Sequence, residues 1–357
     1  MLNTTIVKAP AFTASYHMSN AVITDYETLI DAQTRAFIKL TDNWYPPNTI
    51  DFSLQQQREI YNNMCQQFHR GYPDGVSAGD ATIPTDEYVI PVRRYTSTSK
   101  QPGSSNQADS SNQPDSSNQQ CVLIIYFHGG GFIVGGLDSH DDICAELCSA
   151  TGFDVTAVDY RLAPEHLHPA AFNDSLASVI HESNRANVPV VLCGDSAGGN
   201  LAAAVSHAIR DSEQNTNVVI AGQVLIYPGL GGDTSKGSYL THANAPMLTT
   251  REANFYSNIR TGSGKNDQSI TTHSPLQDTD FTGLPDTFAF SAECDPLADD
   301  SKHYTEAIKN AGGNAKWFNE EGLVHGYLRA RSTVDRAKDS FDRIIEALIK
   351  ISASQPL

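Results

Sequence analysis

Basic side chains are scarce in this chain of 357 residues: 24 lysines and arginines face 41 aspartates and glutamates, a formal net charge of −17. That balance disfavours nucleic acid or an anionic membrane as partner and makes neutral or cationic small molecules the easier substrates. Cysteine is sparse as well. Cys65, Cys121, Cys144, Cys148, Cys193 and Cys294 include no C-x-x-C pair, and Cys144 and Cys148 lack the further Cys/His pair of a zinc site. All six are therefore expected to be reduced and structural. No apolar run of secretory length opens the chain and none is long enough to span a membrane, which predicts a cytoplasmic protein. With many Asn, Gln, Ser and Thr and only 14 arginines, the composition predicts few ion-pair networks and a modest melting temperature.

What the chain does have is a regular order of apolar segments. Apolar residues at Leu29, Ala36, Phe37 and Leu40, then at Leu54, Tyr61, Met64 and Phe68, predict amphipathic helices over 25–40 and 53–68. Ser53 and Gln56 are spaced as a capping box for the second. Between them Trp44-Tyr45-Pro46-Pro47 reads as a rigid turn whose aromatics pack between the helices, with a place in a pocket wall as the alternative. Strands begin near Thr82 and continue over 88–95 as an antiparallel edge pair. Residues 104–119 then run SSNQAD, SSNQPD, SSNQ, a polar near-repeat with nothing to bury, expected to be a disordered loop in a hairpin connection. Beyond it, strand candidates at 122–127, 155–158, 190–192, 223–227, 287–291 and 315–318 alternate with helical stretches. Alternation of this kind predicts an α/β fold: a mainly parallel central sheet with helices on both faces.

The most informative stretch is Cys193-Gly194-Asp195-Ser196-Ala197-Gly198-Gly199-Asn200, between the apolar run 188–192 and the Ala-rich segment 201–209. A strand, a tight turn and a helix would present Ser196 in a G-x-S-x-G elbow at a helix N-terminus, where developing negative charge is favoured. A glycine-rich turn with an incidental serine is the plainer reading of the pentapeptide taken alone. His128-Gly129-Gly130-Gly131-Phe132 follows the first strand of the series, and its unshielded amides can face a substrate oxygen together with the amide of Ala197. It lacks the G-x-G-x-x-G spacing of a phosphate cradle. His128, so close to this loop, is expected to orient it rather than to act as a base.

His128–Phe132, Asp159-Tyr160-Arg161-Leu162-Ala163-Pro164-Glu165, the elbow, Asp295-Pro296-Leu297 and His325-Gly326-Tyr327 occur in the order of the signatures of the hormone-sensitive-lipase family of α/β-hydrolase esterases, which the chain resembles from about Tyr88 onward. The resemblance implies serine-dependent hydrolysis of carboxylic esters with modest acyl chains, without metal or organic cofactor. It maps Ser196 to nucleophile, Asp295 to triad acid and His325 to base, with the amides of Gly130, Gly131 and Ala197 as oxyanion hole. It also implies a cap over the site, giving an N-terminal cap segment at 1–75 and a catalytic domain at 76–357, with the repeat loop at 100–120 and a second cap piece at about 229–266. A small-molecule ester is the expected partner, and a homo-oligomer stays open.

The residues agree with that mapping on their own terms. Ser, Asp and His come in the chain order of α/β-hydrolases, and Asp295 and His325 each follow a predicted strand. Glu293, Asp299 and Asp300 compete with Asp295, although the last two precede the helix-like run 301–310, where carboxylates often cap. Of the twelve histidines, His325 alone follows the last predicted strand between two glycines. Asp195 is expected to point away from the pocket and bond neighbouring loops, and Arg161 and Glu165 to pair within theirs. Leu248, Phe255 and Tyr256 are candidates for the pocket wall, with Tyr256 and Phe255 on a helix over 251–259. No deep apolar tunnel is evident, which favours short acyl groups. An amidase or peptidase using the same triad and a small-molecule receptor on the same fold are the alternatives.

Overall fold

Short runs, apolar at the centre of the sheet and more polar at its two edges, pair into one sheet of eight strands in a computed structural model that describes residues 24–98, 122–212, 217–262 and 270–354. The strands are β1 (Val76–Pro84), β2 (Val89–Ser97), β3 (Leu123–Phe127), β4 (Val155–Val158), β5 (Val190–Asp195), β6 (Ile220–Ile226), β7 (Thr287–Cys294) and β8 (Ala315–Val324), in spatial order β1-β2-β4-β3-β5-β6-β7-β8. β1 and β2 form an antiparallel pair and β2 runs antiparallel to β4. From β4 to β8 every pairing is parallel.

Side chains alternate across the sheet, so Leu123, Ile125 and Phe127 of β3 enter one core and Ile124 and Tyr126 the other. The first core is closed by α5 (Ala170–Ala186), α6 (Ala197–Arg210) and α9 (Ala298–Asn310), which contribute Val179, Leu201 and Tyr304. The second is closed by α4 (Asp141–Thr151) and α10 (Asp335–Ala353), with Leu147 and Leu348. Each fully buried side chain of this size is worth ~1.5–3 kcal/mol relative to leaving it in water. The fold is the α/β architecture expected from the alternation.

A helical cap lies over the carboxyl ends of the parallel strands. Its N-terminal part is α1 (Tyr26–Leu29), α2 (Ala32–Trp44) and α3 (Leu54–Phe68). The single helix expected over 25–40 is broken because Asp31 caps α2, accepting from the Thr34 amide at 2.7 Å. Ser53 and Gln56 form the expected capping box on α3. Its other part is α7 (Ser238–Thr241) and α8 (Thr250–Thr261), and α8 opens on a second capping box, Thr249 with Glu252. The two parts meet where Tyr45 Oη and Tyr256 Oη lie 3.0 Å apart.

Three expectations are corrected. The polar repeat lies outside the described residues, but its flanking strands are not hairpin partners: β4 sits between β2 and β3. Arg161 and Glu165 do not pair. Arg161 is held by Asp174 at 2.9 Å, while Glu165 reaches Arg58 of α3 at 2.7 Å. Ion-pair networks are also more developed than composition suggests, since Arg331 bridges Asp142 and Glu146 at 2.6 Å each and Arg93 joins Asp80, Asp138 and Asp141. The described cysteines, Cys65, Cys144, Cys148, Cys193 and Cys294, are free and buried. No helix among the described residues is long and apolar enough to cross a membrane.

Candidate active site

Ser196 stands between β5 and α6 with φ 52° and ψ −115°, a strained turn that lifts its side chain off the sheet edge. Glycine is required beside it: a Cβ at Gly198 would run into the carbonyl of Phe127 on the neighbouring strand. The Ser196 amide donates to Ile226 O at 2.8 Å, so β6 holds the elbow from the other side.

Asp295 follows β7 directly and His325 follows β8, so both arrive at the same edge of the sheet as Ser196. His325 Nε2 lies 2.9 Å from Ser196 Oγ, and His325 Nδ1 lies 2.7 Å from Asp295 Oδ2. Asp295 is fully buried and its Oδ1 accepts from the Leu297 amide at 2.9 Å. The competing carboxylates are engaged elsewhere: Glu293 accepts from the Gly322 amide, Asp299 from Ser238 and Asp300 from Leu230. Burial pushes the Asp300 carboxyl up to about 7, against the Leu230 and Gly232 amides and Tyr239, which favour its charged form.

The glycine loop is fixed by its first member, whose amide donates to Asp195 Oδ1 at 2.9 Å. Asp195 also accepts from Tyr126 Oη at 2.8 Å and faces His140, so it bonds the neighbouring loops as expected, but it also lines the cavity rather than pointing away from it. Burial alone would raise its pKa, but His140 and Tyr126 hold it well below the usual carboxylate range. The amides of Gly130, Gly131 and Ala197 donate to no group among the described residues, and all three residues line one cavity with Ser196 and His325. At Gly131 the backbone is left-handed (φ 59°) and a Cβ would meet the Tyr256 ring at 2.6 Å. His128 stacks on Tyr160 with centroids 4.3 Å apart, and its Nδ1 lies 2.7 Å from Gly129 O. Burial, reinforced by His140, lowers its pKa to about 4, so it is neutral near pH 7.

The cavity measures about 210 Å³. Leu248 and Tyr256 line it as expected, but Phe255 packs instead against Ile133, Val134 and Ala163. Tyr45 belongs to the wall rather than to helix packing alone. Sequence reasoning missed Tyr227, whose ring packs 4.8 Å from that of His325, and Arg329, which donates to Ser139 O and Tyr61 Oη beneath the cap. Tyr227 ends the predicted strand 223–227, and that placement was the available signal. Chemically, the arrangement offers a hydroxyl beside an imidazole, an imidazole beside a buried carboxylate, and amides without a partner among the described residues, one at the N-terminus of α6 and two in the glycine loop.

A family profile described as α/β-hydrolase fold matches residues 124–329. The chain is 35% identical over 235 residues to the carboxylesterase NlhH of Mycobacterium tuberculosis, covering 63% of this chain and 72% of that protein. It is 28% identical over 284 residues to the ethyl acetate hydrolase of Pseudomonas putida, covering 77% and 83% of the two chains. A solved ester hydrolase from the metagenome of Lake Arreo superimposes with a TM-score of 0.78 at 25% identity, covering 91% of this chain and 99% of that one.

Proposed function

The chain belongs to the α/β-hydrolase fold family, and from that premise we propose that it cleaves short- to medium-chain carboxylic esters through an acyl-enzyme on Ser196. It is a carboxylic ester hydrolase of the serine type. Within the family, the ordered motifs of the sequence favour the hormone-sensitive-lipase branch.

In the mechanism, His325 Nε2 takes the Ser196 proton as Oγ attacks the ester carbonyl. Asp295 holds the tautomer with Nδ1–H toward its carboxylate and stabilises the imidazolium. The developing oxyanion is received by the amides of Gly130, Gly131 and Ala197, and collapse expels the alcohol, which takes its proton from His325. Water then repeats the sequence on the acyl-enzyme. The observation that carries this assignment is the continuous hydrogen-bonded run from Ser196 Oγ through His325 to Asp295, at 2.9 and 2.7 Å.

Short acyl groups are supported by the cavity of about 210 Å³, below the ~300–1,000 Å³ common for drug-sized ligands. The helices up to about residue 75 and the segment 229–266 serve as the cap on a catalytic domain spanning 76–357. A cytoplasmic location is supported by the buried free thiols of the described cysteines. The test is a p-nitrophenyl ester series from acetate to palmitate, with Ser196→Ala beside the wild type. Turnover concentrated at short chains and abolished in the variant upholds the proposal; equal activity in the variant, or none in the wild type, overturns it.

A further inference from the structure

Arg260, near the end of α8, is buried in the wall of the Ser196 cavity. Its guanidinium lies over the Phe132 ring, with Cζ 3.6 Å from the centroid. Nη1 donates to Asn200 Oδ1 at 3.1 Å and to His273 O at 3.2 Å, and Nη2 reaches Thr272 O only at 3.4 Å. Nε is buried and donates to no group among the described residues. No carboxylate pairs with this arginine among the described residues.

Other arginines of the chain show what that edge ordinarily holds. Through Nε and Nη2 together, Arg93 grips Asp80, Arg94 grips Glu182, Arg161 grips Asp174 and Arg331 grips Glu146. The planar fork matches a carboxylate in geometry as well as charge. At Arg260 no carboxylate among the described residues fills that edge, which leaves a buried cation without a direct counter-charge. Burial accordingly draws its pKa down to about 9. Two guanidiniums, Arg260 and Arg329, line the cavity against one carboxylate, Asp195, which Tyr126, Gly129 and His140 already engage. With Asp295 behind His325, two guanidiniums meet two carboxylates at the reaction cavity, inside a chain of net charge −17. Surface charge is screened beyond about 8–10 Å in physiological salt, so the interior decides which substrates are held.

We infer that Arg260 is a specificity-determining residue whose guanidinium receives a substrate carboxylate, so that the preferred esters carry a free acid. The inference rests on the ester-hydrolase reading of the same cavity. The contact that such an acid would replace is the longest of the three, to Thr272 O.

Two matched pairs test it: monoethyl succinate against ethyl butyrate, with the acid on the acyl side, and acetoxyacetate against ethyl acetate, with the acid on the alcohol side. For at least one pair the wild type should favour the acid by ~10-fold or more in kcat/KM, and Arg260→Gln should bring that ratio to about one. Arg260→Lys, which keeps the charge but not the two-donor edge, should retain part of it. The ratio cancels any general loss caused by a shifted Phe132 or cap. A second readout needs no variant: butyrate ion should inhibit neutral-ester hydrolysis at least ~10-fold more strongly than butyramide. A wild-type ratio near one in both pairs, a ratio that survives Arg260→Gln, or equal inhibition by ion and amide overturns the inference. Neutral esters that still turn over leave the hydrolase reading standing, whereas four inert esters overturn both.

Discussion

The Gly129 amide is hydrogen-bonded to the Asp195 carboxylate at 2.9 Å, so the residue preceding the proposed nucleophile carries the loop of proposed oxyanion donors. Tyr126 and His140 hold that carboxylate in turn. Nucleophile and oxyanion site are therefore positioned by one buried group, and displacement of either would be felt by both.

Removing the reacting groups should abolish activity without unfolding the chain. Ser196→Ala and His325→Ala are expected to lower kcat for p-nitrophenyl butyrate by at least ~10³-fold, with thermal melting curves close to the wild type. A loss of under tenfold in either variant would contradict the assigned roles.

The two neighbouring aspartates should separate cleanly. Asp295→Asn is expected to cost on the order of 10³–10⁴ in kcat, because the imidazole loses its orienting carboxylate. Asp300→Asn should cost far less, since Asp300 pins the Leu230 and Gly232 amides instead.

Asp300 should also govern part of the pH dependence of stability. Its carboxyl titrates near 4 when unfolded and at about 7 when folded. Across that interval the folded chain keeps a proton that the unfolded chain releases. Stability therefore falls as pH rises through the interval, by up to ~1.4 kcal/mol per pH unit, and levels off above the folded value. Urea unfolding at about pH 5 and about pH 8 should show this slope in the wild type and a flatter one in Asp300→Asn.

Gly131→Ala tests the oxyanion loop. The new methyl must displace the Tyr256 ring and occupy a left-handed backbone, moving the amides off target. A fall in kcat of about 10²-fold or more, with a smaller change in KM, is the expected signature.

Leu248→Ala should widen the cavity wall. The optimum of the p-nitrophenyl ester series should move toward longer acyl chains, each added methylene recovering up to ~0.8 kcal/mol of burial. An unchanged optimum would take Leu248 out of the acyl pocket.

Arg331→Ala leaves Asp142 and Glu146 without their shared cation. Breaking one side of a buried pair typically costs ~3–5 kcal/mol, and the urea midpoint should drop accordingly.

Legibility in the sequence followed the distance over which each feature is encoded. The elbow around Ser196, the glycine loop and the two loop residues Asp295 and His325 lie in short motifs beside strand ends, where local composition dictates both backbone and position. The capping box at Ser53 was readable for the same reason. Pairings across the fold were not. Arg58 lies more than a hundred residues before Glu165 and in a different element, so the nearby Arg161 looked the better partner. The insertion of β4 between β2 and β3 is likewise a property of sheet order, which no local pattern states. Tyr45 looked like helix packing because its cavity exists only once α8 folds over it. Arg260 gave no signal at all, because a charged residue late in an amphipathic helix ordinarily faces water.

Tyr95 of β2 and Ile124 of β3 both pair with Val155, from opposite sides. The chain thus leaves β2 and enters β3 at the edge of the sheet away from Ser196, about two strand spacings or ~10 Å apart. That joint is a natural attachment point: a fluorescent reporter or a surface tether spliced there would leave the catalytic mouth turned outward, toward the solution that delivers its ester.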